Sequence, residues 1–180
     1  MKIIKSIKAV ASVAFLLAVL SVPVVAQETP KLTDAEIASV AVTANQIDIE
    51  YAQIAQKKSK NADVLKFAET MAKDHQSVID QAVALATKLG VTPKDNATTK
   101  SFLAGAVKTK AMLNSKNGNA FNKAYIDNEV AYHKAAINEV ENVLIPDATN
   151  SELKSLLQSA LPIFKTHLAH AEMVQKQFSK

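Results

Sequence analysis

VLKFAETMAKDHQSVIDQAVALATKL, residues 64–89, sets Val64, Ala68, Met71, His75, Val78, Ala82, Leu85 and Leu89 in one series. The intervals alternate four and three without a break, which lays these side chains along one face of an α-helix. Asn61 is placed to cap the start. Gly90, followed by Thr92-Pro93, is placed to end it. The stripe is apolar except for His75, so the segment raises a question of chemistry as well as of fold.

Three further segments share this period. Thr33-Asp34-Ala35-Glu36 is a capping-box signature. Ile37, Val40, Ala44, Ile47, Tyr51 and Ile54 follow at helical intervals, up to the basic run Lys57-Lys58-Ser59-Lys60. Residues 119–144 place Ile126, Val130, His133, Ile137, Val140 and Leu144 on one face, and Pro146-Asp147 makes the next turn. A last helix, from Thr149 or Asn150 to Phe178, carries Leu153, Leu156, Ala160, Ile163, His167, then His170 or Ala171, Val174 and Phe178. Pro162 predicts a kink in it one turn before His167. Between the second and third long helices, Thr98 to Leu113 reads as a shorter helix in a crossover that runs back along the bundle and stays out of the core. The fold class is all-α, a four-helix bundle with a long crossover containing a short extra helix. The two halves also resemble each other weakly. Phe67 to His75 aligns with Tyr125 to His133, aromatic on aromatic, Glu69 on Asp127 and histidine on histidine.

Residues 1–26 read as a secretory signal peptide. Lys2, Lys5 and Lys8 precede an apolar run that closes with Val24-Val25-Ala26. An uncleaved anchor is the alternative, but the run is near the short end for a bilayer core of ~30 Å. Residues 27–180 then make one domain, exported to the periplasm or associated with the outer membrane. The formal net charge of +4 includes three lysines of the leader; residues 27–180 hold 18 lysines against 17 acids, or +1. There is no arginine and no lysine-rich run interleaved with aromatics, which discounts nucleic acid as a partner. There is no cysteine, hence no disulfide and no lipid anchor on a lipobox cysteine.

Of four histidines, His75, His133 and His167 fall on the buried stripes of three different helices. Their depths follow from the helical rise. Measured from the end where the first helix turns into the second, His75 and His133 lie roughly 21 Å down, at ~1.5 Å per residue. Glu50 and Glu129 lie at roughly 15 Å, His167 at roughly 12 Å and His170 near 8 Å, each to within about one turn. The middle of the bundle therefore gathers His75, Glu129, His133 and His167, with Glu50 at the flank and His170 at the edge. Imidazoles and carboxylates converging between helices suit a transition-metal ion. The plainer reading is that each ring is a neutral core residue donating one hydrogen to a carbonyl or hydroxyl, with Tyr51, Tyr125 and Tyr132 available as partners.

FAETMAKDHQ (67–76), YIDNEVAYHKAAI (125–137) and LPIFKTHLAHAEMV (161–174), behind a leader, resemble a family of exported bacterial proteins. These are grouped as domain of unknown function 4142, labelled outer-membrane proteins and placed in the ferritin-like superfamily. The resemblance runs from Leu32 to Phe178 and implies a ferritin-like bundle. Ferritin-like proteins typically hold two metal ions with a Glu from each of two helices and a Glu-x-x-His from each of the others. Here Ala72, Val130 and Phe164 stand three residues before the histidines, with Glu129 one place further back. The bridging acids of a di-iron site are missing. A histidine-rich mononuclear site suits zinc, copper or nickel better than iron. Two histidines could also hold haem, although no Cys-x-x-Cys-His is present for covalent attachment.

Three functions compete at this point. One is an exported metal-binding bundle. Another is a non-enzymatic structural or interaction module whose histidines are purely structural, with an envelope protein or a second copy as its partner. The third is an acid sensor, in which protonation of buried histidines loosens the core. No Gly-x-Ser-x-Gly and no phosphate loop occurs, so no catalytic residue is assigned and enzymatic activity is left open.

Overall fold

The computed structural model describes residues 30–178, so the leader read in residues 1–26 lies outside the described residues. Five helices make the fold: α1 (Asp34–Lys58), α2 (Ala62–Leu89), α3 (Ala97–Asn114), α4 (Gly118–Glu139) and α5 (Ser151–Gln175). No strand occurs among the described residues. Local chemistry sets the ends. The Thr33 hydroxyl accepts the Glu36 N–H while the Glu36 carboxylate accepts the Thr33 N–H. The Asn61 side chain accepts the Val64 N–H, and the Asn150 side chain accepts those of Glu152 and Leu153. Gly90 ends α2 at φ 64°, a left-handed conformation that a Cβ disfavours.

α4 continues through a π-helical turn, Val140–Leu144, and one further α-turn, Ile145–Asp147. The Ile145 N–H reaches back to the Val140 carbonyl, five residues earlier. Pro146 supplies the physical reason. It has no N–H to donate, and its ring crowds the carbonyl four residues back, so the preceding turn widens.

Contacts at the helix ends give the directions. α3 lies alongside α1 and runs the same way. The Asn96 amide donates to the Glu36 carbonyl at one end (3.1 Å), and Lys58 Nζ donates to the Asn114 carbonyl at the other (2.6 Å). α4 starts where α1 ends, with the Ser59 hydroxyl donating to Asn122 Oδ1 (2.8 Å). α5 starts at the opposite end, where the Asp34 carboxylate accepts the N–H groups of Thr149 and Asn150. Thus α1 and α5 run one way and α2 and α4 the other. α1 and α5 each pack against both α2 and α4, so the four long helices close into a bundle with α3 on the outside of α1.

Two expectations need correction. α3 is more than a connector, because Ala106 and Leu113 are buried in the core along with Thr99, one residue in every seven. Its outer face leaves Leu103 and Val107 exposed. Hydroxyl contacts from Ser39 to Thr99 and Asp95 help hold it to α1, so it needs only a thin apolar seam. In α5 the buried series is Leu153, Leu157, Ala160, Phe164, His167, Ala171 and Val174. Leu156 is half-buried and Ile163 is exposed. Both series share Leu153, Ala160, His167 and Val174, and both alternate threes and fours, so the period does not choose the flank. Contact chooses it, since the Phe164 ring stacks on that of His75 (centroids 5.5 Å apart, planes at 13°). α5 passes through Pro162 as one continuous helix, with the proline at an exposed position.

The apolar core comes in two parts, one around Met71, Tyr125 and Phe67 and the other around Ile37, Leu144 and Leu157. The polar residues described next lie between them on every long helix.

Candidate metal centre

Each long helix places a polar side chain at the level where the two apolar clusters meet. α1 gives Asn45 and Asp48, α2 gives His75, α4 gives Glu129 and His133, and α5 gives His167. Asp48 and Glu129 are 0 % exposed, His133 1 %, His167 2 % and His75 4 %. Ring centroids of His75, His133 and His167 stand 5.1, 5.4 and 5.6 Å apart, nearly an equilateral triangle. One ring nitrogen from each lies within 4.8 Å of the others. Asp48, Glu129 and His133 form a second group of the same tightness, so His133 belongs to both.

The outer nitrogen of each ring is held by an acceptor, and this settles the tautomers. His75 Nδ1 is 2.6 Å from Asn45 Oδ1. The Asn45 amide nitrogen donates to the Ala41 carbonyl (2.7 Å), so its oxygen faces the ring and Nδ1 carries the hydrogen. His133 Nδ1 donates to the Glu129 carbonyl (3.0 Å), which can only accept. His167 Nε2 donates to the Asp74 carboxylate (3.0 Å), which when ionised also only accepts. The nitrogens left over are His75 Nε2, His133 Nε2 and His167 Nδ1. All three are buried and without a hydrogen-bond partner.

The same is true of both oxygens of Asp48 and both of Glu129. Asp48 Oδ2 stands 3.0 Å from His75 Nε2 and 3.5 Å from His133 Nε2, close but without hydrogen-bond alignment. Burying this many unpaired acceptors is costly unless a proton or a cation sits among them. The carboxyls respond accordingly. Burial pushes Asp48 up, but attraction to the imidazolium forms of His75 and His133, 3.0 and 3.5 Å away, outweighs it and holds the group at about 2. Burial and the neighbouring Asp48 charge push Glu129 well above the usual carboxylate range, so it is the member that keeps a proton. Burial also lowers His133, against the opposing pull of Asp48. Burial lowers His167 to about 4, with the Asp74 hydrogen bond pulling the other way. These two rings therefore stay neutral at neutral pH, the form in which imidazole binds a metal.

Of the residues singled out from the sequence, His75, Glu129, His133 and His167 come together. Glu50 and His170 do not. Glu50 lies on another side of α1 from Asp48 and pairs with Lys110 of α3 (2.6 Å). His170 is half-buried and sits edge-on to Phe67 (centroids 5.1 Å apart, planes at 73°). Sequence reasoning missed Asn45, Asp48 and Asp74. A signal for the first two exists. Ala38, Ala41, Asn45, Asp48, Ala52 and Ala55 form a second helical series beside the one first read. α1 buries parts of both series because α2, α3 and α4 all pack on it. Asp74 adjoins His75 in sequence but serves the histidine of another helix.

Two residue pairs matched by the weak internal resemblance also touch. Phe67 meets Tyr125 edge-on (6.1 Å) and His75 meets His133 (5.6 Å).

Among solved structures, one titled "CopM in the Cu(II)-bound form" is similar over 83 % of this chain and 99 % of that chain, with a TM-score of 0.63 and 12 % identity. At that identity the likeness is one of fold. No curated protein matches the sequence. The family described as "Domain of unknown function (DUF4142)" matches residues 20–174, most of the chain, and the protein belongs to that family.

Proposed function

We propose that this protein binds a transition-metal ion through His75, His133 and His167, with the Asp48 carboxylate balancing charge and Glu129 able to add a second oxygen when it gives up its proton. One observation carries the reading: three buried ring nitrogens, each turned inward by a hydrogen bond on the far side of its ring, have no aligned hydrogen-bond partner in the protein, and the Asp48 carboxylate stands beside two of them. That outer support is the usual accompaniment of metal-ligating histidine. Three imidazoles beside carboxylates suit zinc, copper or nickel, all of which accept nitrogen readily. The resemblance in fold to a protein bound to Cu(II) makes copper the first ion to try. The leader read in residues 1–26 supports a setting outside the cytoplasm, in the periplasm or at the outer membrane.

Titration of the metal-free protein with Cu(II) and Zn(II), followed by calorimetry, is expected to show one saturable site. His75→Ala, His133→Ala and His167→Ala should each weaken it by more than the ~10–100-fold that loss of an outer-shell partner costs, and Asp74→Ala by about that much. Binding that is absent, or unchanged in the three histidine variants, would leave the histidines purely structural.

A further inference from the structure

Above the imidazoles, toward the end of the bundle where α2 finishes and α5 begins, the core holds a partly open cavity of about 70 Å³. Its walls explain its existence. Ala38, Ala41, Ala44, Ala82, Ala86 and Ala136 line it, where larger side chains would close a bundle of this width. Side chains from Asp34 to Asp48 of α1 border it, a run of about 21 Å at ~1.5 Å per residue, so the space is long and narrow. Leu89 and Val91 stand at one end, and Asp48, His75 and His133 at the other. His167 and Glu129 do not line it, so it meets the cluster from the Asp48 side, away from the half-exposed Asp74 carboxylate on His167.

Size and lining choose the occupant. A buried water needs two to four polar partners, and between its two ends the cavity is lined mostly by alanine, valine and leucine, which offer none; polar groups gather at the Asp48 end. Apolar cavities of ~150 Å³ stay dry and take up benzene or xenon. This one has about half that volume, which excludes a ring and admits a molecule of a few atoms. The floor differs from the walls: it is closed by Asp48, His75 and His133, residues that each carry a buried polar atom without a hydrogen-bond partner. We propose that the cavity is a binding site for a small apolar molecule of dioxygen size, held against the imidazoles of His75 and His133. The claim concerns the metal-free protein, so it stands or falls apart from the metal reading. With a metal in place, the same molecule would lie beside it.

Xenon is the probe. Crystals of the unaltered, metal-free protein under xenon pressure are expected to show bound xenon between Ala41, Ala82 and His75. In solution, the ¹²⁹Xe resonance should shift saturably with protein concentration, and Ala82→Leu, which fills the space, should abolish that shift. Xenon absent from the cavity, a file of ordered waters in its place, or an unchanged shift in Ala82→Leu would overturn the proposal. Should Ala82→Leu fail to fold, the crystals of the unaltered protein decide the matter alone.

Discussion

His167 shows how one side chain links fold and chemistry. Its Nε2 is held by Asp74 and its Nδ1 is left without a partner, at a position only 2 % exposed. Burial lowers it from an ordinary 6.5 to about 4. The unfolded chain therefore binds a proton between those values that the folded chain refuses. Its contribution to stability is present above about pH 6.5 and is lost as pH falls toward 4. Glu129 acts in the opposite sense, because a raised carboxyl stabilises most at low pH and less as pH rises through its folded value. Comparison with His167→Gln, which keeps a donor for Asp74, isolates the histidine. Thermal or urea unfolding of the metal-free proteins should show the wild type losing up to about 3 kcal/mol relative to the variant between pH 6.5 and 4. Parallel profiles would mean the ring is not held neutral. Among single residues, the histidines were legible in the sequence because a titratable ring interrupts an apolar stripe. Asp48 was not, because it lies on a second, alanine-rich series of α1 that becomes core only when three helices pack on that one.

At the scale of the element, helical period and caps were readable almost to the residue. Thr33, Asn61 and Asn150 cap α1, α2 and α5, and Gly90 closes α2. Which flank of α5 turns inward was not readable, since 156 and 163 fit the period as well as 157 and 164. The difference has an energetic consequence. Phe164 is buried against His75, whereas Ile163 is exposed. Phe164→Ala should cost about 3–5 kcal/mol on unfolding, as large core truncations do. Ile163→Ala should stay within about 0.5 kcal/mol. Equal losses in the two variants would contradict the rotation of α5 described here. The π-helical turn before Pro146 is likewise local in cause, yet Val140 and Leu144 from that turn line the cavity above the imidazoles.

For the molecule as a whole, the bundle is two apolar clusters joined through a polar layer. Depth along the helices was legible for α2 and α4, where His75 and His133 share one level, but less so for α5: the constant rise placed His167 about 9 Å from that level, whereas its ring lies 5.1 and 5.4 Å from theirs. Azimuth was not legible: Glu50, read at the flank, faces Lys110 of α3, and His170, read at the edge, packs on Phe67 away from the three rings. No helix among the described residues is long and apolar enough to cross a membrane. We propose that residues 1–26 are a leader removed on export. N-terminal sequencing of the protein from the envelope fraction of its native cell should begin at Gln27, and a chain starting at Met1 would contradict cleavage.

The polar layer is where the account is most exposed to test. X-ray absorption at the metal edge of the protein loaded with one equivalent of Cu(II) or Zn(II) reads the ligands directly. The expected spectrum shows imidazole scattering from three histidines with metal–nitrogen distances of ~2.0–2.1 Å. A spectrum with oxygen ligands alone, or one unchanged when His75, His133 and His167 are all replaced, would contradict it.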